Sequence, residues 1–109
     1  MIRLAITGFC GRMGQRIYAL AKNDRSFSVV ALLDRADHPD IGKVIDGIAI
    51  TSDRSAIKKA DVLIDFTLPE PTEENLKACL SSKTKMVVGT TGLSDAQCKK
   101  IKKDRKSVV

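Results

Sequence analysis

Four short runs of apolar and β-branched residues recur along this chain with helix-period patterns between them: "IRLAIT" at 2–7, "SVVALL" at 28–33, "VLIDF" at 62–66 and "MVV" at 86–88. Because they are nearly continuously apolar, they predict strands with no solvent side, the condition of a parallel sheet covered on both faces. Strands joined through helices cross over right-handedly, so the pattern predicts a doubly wound α/β sheet. "IAI" at 48–50 adds a weaker strand. At 109 residues, 43% of them apolar, the chain has the length and composition of one domain with one core.

Between the first two strands, Met13, Ile17, Leu20 and Ala21 recur at helical spacing and are expected to face the sheet. A second helix is expected over 55–59. A third is expected to begin near the prolines of "LPEPTEEN", capped by Thr72, with Glu73 and Glu74 at the positive end of its dipole and Leu76, Cys79 and Leu80 inward. Ser94 and Gln97 form a capping-box pattern that opens a fourth. Residues 35–47 form the longest irregular stretch and predict a mobile surface loop. "SVV" at 107–109 reads as the start of another strand directly after a helix, so the chain is expected to be a fragment of a longer protein.

The N-terminus lacks a signal-peptide pattern and no apolar run reaches the roughly 18 residues of a membrane span; a soluble, cytoplasmic protein without a membrane partner is expected. Cys10, Cys79 and Cys98 are odd in number and lack C-x-x-C spacing, which argues against a disulfide framework or a zinc site. No metal is expected. The net charge is +6, and "KKIKKDRK" at 99–106 holds six of the basic residues. A solvated helix face accounts for such a run. Nucleic-acid binding, the other reading, wants interleaved aromatic residues for stacking, whereas the whole chain has three phenylalanines, one tyrosine and no tryptophan. The excess charge also suits a polyanionic small molecule.

Gly8-x-x-Gly11-x-x-Gly14 follows the first strand and opens the first helix, the setting in which a glycine-rich turn cradles a pyrophosphate at a helix N-terminus. Gly8 is expected to allow the tight turn, Gly11 the approach of the phosphates, and Gly14 close packing of helix on sheet. The usual G-x-G-x-x-G has its second glycine where this chain has Cys10. Arg12 places a cation against the positive end of the helix dipole, a conflict an anionic ligand removes. The second strand ends at Asp34, twenty residues past Gly14, where an acid accepts hydrogen bonds from an adenosine ribose. Arg35 follows and suits a 2′-phosphate, so tolerance of both NADH and NADPH is expected. Phe66 and Thr67, with Gly89, Thr90 and Thr91, fall at strand ends on the same edge, placed for the nicotinamide half. No catalytic apparatus emerges: His38 reads as a solvated loop residue. A helix N-terminus can lower a thiol pKa, but Cys10 has no neighbouring histidine in sequence and reads as a small turn residue.

Together "ITGFCGRMGQRI", "VVALLDR", "LIDFTLPEPT" and "MVVGTTGLSDAQ" resemble, over nearly the whole chain, the N-terminal cofactor domain of the dihydrodipicolinate reductases. The resemblance implies a Rossmann-like fold and a parent enzyme that reduces a cyclic dipicolinate precursor with NADH or NADPH in diaminopimelate and lysine biosynthesis, as a cytoplasmic homotetramer. It implies that Gly8, Phe9, Cys10, Gly11, Arg12 and Met13 hold the pyrophosphate, Asp34 the ribose, and Arg35 with Arg12 a 2′-phosphate. Phe66, Thr67, Gly89, Thr90 and Thr91 would line the nicotinamide side. The family's catalytic and substrate-binding segments belong to a C-terminal domain, so the fragment is expected to bind cofactor without turnover and to meet substrate only with that domain. A free-standing NAD(P)-sensing module is the alternative.

Overall fold

A computed structural model describes residues 2–66 and 69–88 of the chain. Its elements are β1 (Ile2–Thr7), α1 (Arg12–Lys22), β2 (Phe27–Leu33), β3 (Val44–Ile45), β4 (Ile48–Thr51), a 3-10 helix (Arg54–Lys59), β5 (Val62–Asp65), α2 (Pro69–Ser82) and β6 (Lys85–Val88). They build a six-stranded sheet in the order β3-β4-β2-β1-β5-β6. All pairings are parallel except β3 with β4. The chain therefore winds from β1 outward to β4, then returns to the other side of β1 for β5 and β6. That reversal beside β1 is the topological switch point at which open α/β sheets bind ligands.

Burial on both faces follows from neighbours in sequence pointing opposite ways. Ala5, Leu33, Leu63 and Met86 join Ile57, Leu76 and Cys79 in one cluster, beneath the 3-10 helix and α2. Ile6 and Leu32 join Phe9, Tyr18 and Ile50 in the other, beneath α1. Thr84 ties the first layer together, its hydroxyl hydrogen-bonded at 3.3 Å to the Ile57 carbonyl and 3.2 Å to that of Ala60.

Four expectations are corrected. α1 buries Gly14, Tyr18 and Ala21, with Ile17 half-buried, while Met13 and Leu20 are 46% and 66% exposed. The helix is turned so that Gly14 meets the glycine turn and the Tyr18 ring stands edge-on to Phe9, centroids 5.4 Å apart. α2 begins at Pro69, so Thr72 lies inside it and is not its cap. A proline at the first helical position has its ring-fixed φ already suitable and misses only an N–H that would have no intrahelical partner. Leu80, expected inward, is 41% exposed. Residues 35–47 are also less irregular than expected. Asp46 and Gly47, at φ 49° and 83°, form a two-residue turn of the kind that matches strand twist. That turn folds β3 back on β4, and reciprocal bonds from Gly42 N to the Ile50 carbonyl and from Ile50 N to that of Lys43, both 2.8 Å, hold the loop down. The segment expected over 55–59 is the 3-10 helix, capped by Asp53 accepting from Ser55 N. The fourth helix and the "SVV" strand lie outside the described residues.

Candidate functional site

Register places the site. Thr7 pairs with Leu33 and Asp65, and Asp65 with Val88, so β1, β2, β5 and β6 all end on one edge of the sheet. Residues 8–13, Asp34, Arg35 and Phe66 follow directly from those ends. Thr67, Gly89, Thr90 and Thr91 lie outside the described residues.

The glycine turn is built by packing. Gly8 has φ 76°, a left-handed conformation that a side chain resists. Phe9 N donates to the Leu33 carbonyl at 3.1 Å and Gly11 N to that of Gly8 at 3.1 Å, closing the loop onto β2. Gly14 is the close approach: a Cβ there would lie 2.4 Å from the Gly8 carbonyl oxygen and 2.6 Å from the Phe9 Cα. Gln15, which the sequence did not single out, donates from Nε2 to the Phe9 carbonyl at 3.1 Å. Phe9 itself is buried in the core, so only its backbone is offered to a ligand. Gly11, Arg12 and Met13 are exposed. Among the described residues no side chain caps α1, and its first turn holds no acid, which leaves its leading N–H groups and the exposed Arg12 to solvent or an anion.

Asp34 organises the loop that follows β2. One carboxylate oxygen accepts from Cys10 N and the other from Arg35 N, each at 2.8 Å. Arg35 is ion-paired with Asp37 at 3.0 Å on the surface. Cys10 is half-buried, and desolvation, with a hydrogen bond and negative charge from Asp34, pushes its thiol up to about 11. The shift is opposite to activation by a helix N-terminus, so Cys10 is protonated at neutral pH and no nucleophile. His38 is half-buried, where a solvated residue was expected, and its Nδ1 accepts from Asp40 N at 3.0 Å. Donor atoms of Cys10, His38 and Asp40 lie within 4.8 Å of one another, a convergence across 30 residues that no local motif announces. At the opposite end of α1, a shallow groove of about 460 Å³ is lined by Tyr18, Lys22, Asp46 and Ile48; none of the described residues expected to bind a dinucleotide borders it.

The family model described as "Dihydrodipicolinate reductase, N-terminus" matches residues 2–109. The chain belongs to this reductase family. It is 40% identical over 107 residues to the 4-hydroxy-tetrahydrodipicolinate reductase of Bordetella pertussis, covering 92% of this chain and 40% of that protein. Against the Pelagibacter ubique reductase it is 39% identical over 108 residues, 98% of this chain and 41% of the relative. The chain thus spans about 40% of the length of the curated relatives it matches. Among solved structures, the dipicolinate-bound dihydrodipicolinate reductase of Paenisporosarcina sp. TG-14 superposes with TM-score 0.77 at 30% identity, over 92% of this chain and 41% of that one. A biliverdin reductase from Synechocystis, solved with biliverdin and NADP+, shares the fold with TM-score 0.78 at 21% identity, over 97% of this chain and 35% of that one. The doubly wound, Rossmann-like architecture expected from the strand pattern is therefore the fold of this reductase domain. Among the described residues, no helix is long and apolar enough to cross a membrane.

Proposed function

We propose that this domain binds NADH or NADPH and presents its nicotinamide for hydride transfer in a 4-hydroxy-tetrahydrodipicolinate reductase of diaminopimelate and lysine biosynthesis. The observation that carries the reading is the uncapped N-terminus of α1 behind the Gly8–Gly14 turn, with Asp34 and Arg35 beside it on the carboxyl edge of the sheet. Backbone N–H groups of 8–13 would receive the pyrophosphate, with Arg12 supplying charge. Asp34 retains lone pairs beyond its two backbone bonds with which to accept from the adenosine ribose. Arg35 would hold a 2′-phosphate once released from Asp37. Phe66, half-buried past β5 with its N–H on the Thr7 carbonyl at 3.3 Å, would border the nicotinamide, as would Thr67, Gly89, Thr90 and Thr91.

The dinucleotide supplies the hydride. The residues of this chain bind and orient it, while substrate and proton come from the remaining length that the curated relatives possess. That complete protein is proposed to work in the cytoplasm as a homotetramer. Neither nucleic acid nor membrane is a proposed partner. Calorimetric titration of the folded chain with NADH and NADPH tests the reading: saturable binding of at least one, displaced by the other, is expected. A folded sample that binds neither at millimolar concentration overturns it.

A further inference from the structure

We propose that Cys10, His38 and Asp40 form a binding site for a borderline-soft divalent metal ion such as Zn2+. Their donor atoms, a sulfur, an imidazole nitrogen and a carboxylate oxygen, all lie within 4.8 Å of one another, and all three residues are half-buried. Such a mixed S, N, O set is what Zn2+ and Co2+ take in tetrahedral sites with a water in the fourth position. The convergence is built into the loop. Asp34 grips Cys10 N with one oxygen and Arg35 N with the other, bringing the glycine turn alongside 38–40.

The surrounding charge is mixed. The carboxylates of Asp34 and Asp40 and the guanidinium of Arg35 all act on the Cys10 thiol, and the cation now answering Asp40 is the Lys43 ammonium, 2.7 Å away. A divalent ion would displace that ammonium to solvent. Tetrahedral bonds of zinc length put donors about 3.5 Å apart, so the loop must close by about 1 Å. His38 ligates through one ring nitrogen: bound through Nε2 it keeps the bond from Asp40 N to Nδ1, and bound through Nδ1 it gives that bond up. Cys10 enters as thiolate, one sulfur–metal bond replacing one S–H bond, and its proton passes to water.

The site adjoins Asp34, so its consequence, which rests on the proposed dinucleotide reading, is that metal and the adenosine end of the cofactor exclude each other. Co2+ added to the folded chain is the direct probe. A thiolate-to-cobalt charge-transfer band in the near ultraviolet is expected, absent in Cys10→Ser, with apparent affinity at least ten-fold weaker in His38→Gln and in Asp40→Asn. No band in the wild type at millimolar Co2+ overturns the site, as does a band that survives in Cys10→Ser or is unmoved by both loop substitutions. NADH is then titrated with Zn2+ and with chelator. Weaker binding under Zn2+ in the wild type, with no such effect in Cys10→Ser, is expected; equal affinity in the presence of bound Zn2+ overturns the overlap. The chelator arm reads the dinucleotide site by itself, so its failure is separable from failure of the metal site.

Discussion

A Cβ on Gly14 would meet two backbone atoms of the glycine turn at 2.4 and 2.6 Å, contacts that no rotamer relieves. Gly14→Ala is expected to cost about 1–3 kcal/mol, as overpacking of a tight core does, read as a lower urea midpoint with an unchanged slope; an unshifted midpoint would contradict the packing described. Gly11 differs: it is exposed, its φ is −79°, and an added Cβ would lie an ordinary 3.4 Å from the Gly8 carbonyl oxygen. Gly11→Ala should therefore cost no more than about 1 kcal/mol while weakening dinucleotide binding measured by calorimetry. Equal affinity in wild type and variant would remove Gly11 from the phosphate path. At Arg35 the expectation concerns selectivity. Charge-assisted bonds are worth about 1.5–3 kcal/mol, so Arg35→Ala should weaken NADPH about ten-fold or more and leave NADH nearly unchanged. A common loss for both cofactors would show that Arg35 does not read the 2′-phosphate.

At the scale of elements, α1 braces the β3–β4 hairpin, whose β4 is also paired with β2. The Tyr18 hydroxyl donates to the Asp46 carboxylate, and the Lys22 ammonium lies 3.9 Å from Asp46 and 5.7 Å from the centre of the Tyr18 ring. The hairpin's own pairing is only Val44 with Ala49 and Ile45 with Ile48, too short to be stable alone. Tyr18→Phe removes the bond and keeps the ring against Phe9, so a loss of about 1 kcal/mol is expected, with faster amide exchange concentrated in 42–50. Uniform exchange across the sheet would mean the hairpin is held by something else. The Asp-Gly pair between apolar residues was a legible turn signal, although the charged and proline-bearing residues around it made 35–47 read as a loop.

For the molecule as a whole, three buried or half-buried acids share one direction of shift. Burial and a neighbouring carboxylate push Cys10 up to about 11, Tyr18 up to about 12 and Cys79 up to about 12. Each group stays protonated in the folded state to a higher pH than in the unfolded chain, which releases its protons from about pH 9 for the thiols and pH 10 for the phenol. Their contribution is fully present below about pH 9 and is lost as pH rises toward 12. The urea midpoint should be flat from pH 7 to 8.5 and then fall. A midpoint constant to pH 11 would show that these groups titrate freely in the fold.

Much of this protein was determined by the sequence alone, because the determining physics is local. Apolar runs of strand length define strands buried on both faces, and a glycine turn between strand and helix lets α1 approach the end of β1 closely. Asp34 stands at a strand end whatever lies beside it. Tertiary structure decided the rest, because those outcomes compare distant surfaces. The apolar spacing of α1 admits several faces, and contact of Gly14 and Tyr18 with Gly8 and Phe9 selected one. Periodicity could not foresee an antiparallel edge strand two residues long. Nor could any motif bring Cys10 beside His38 and Asp40: that meeting required β1 and β2 to pair and Asp34 to close the loop between them.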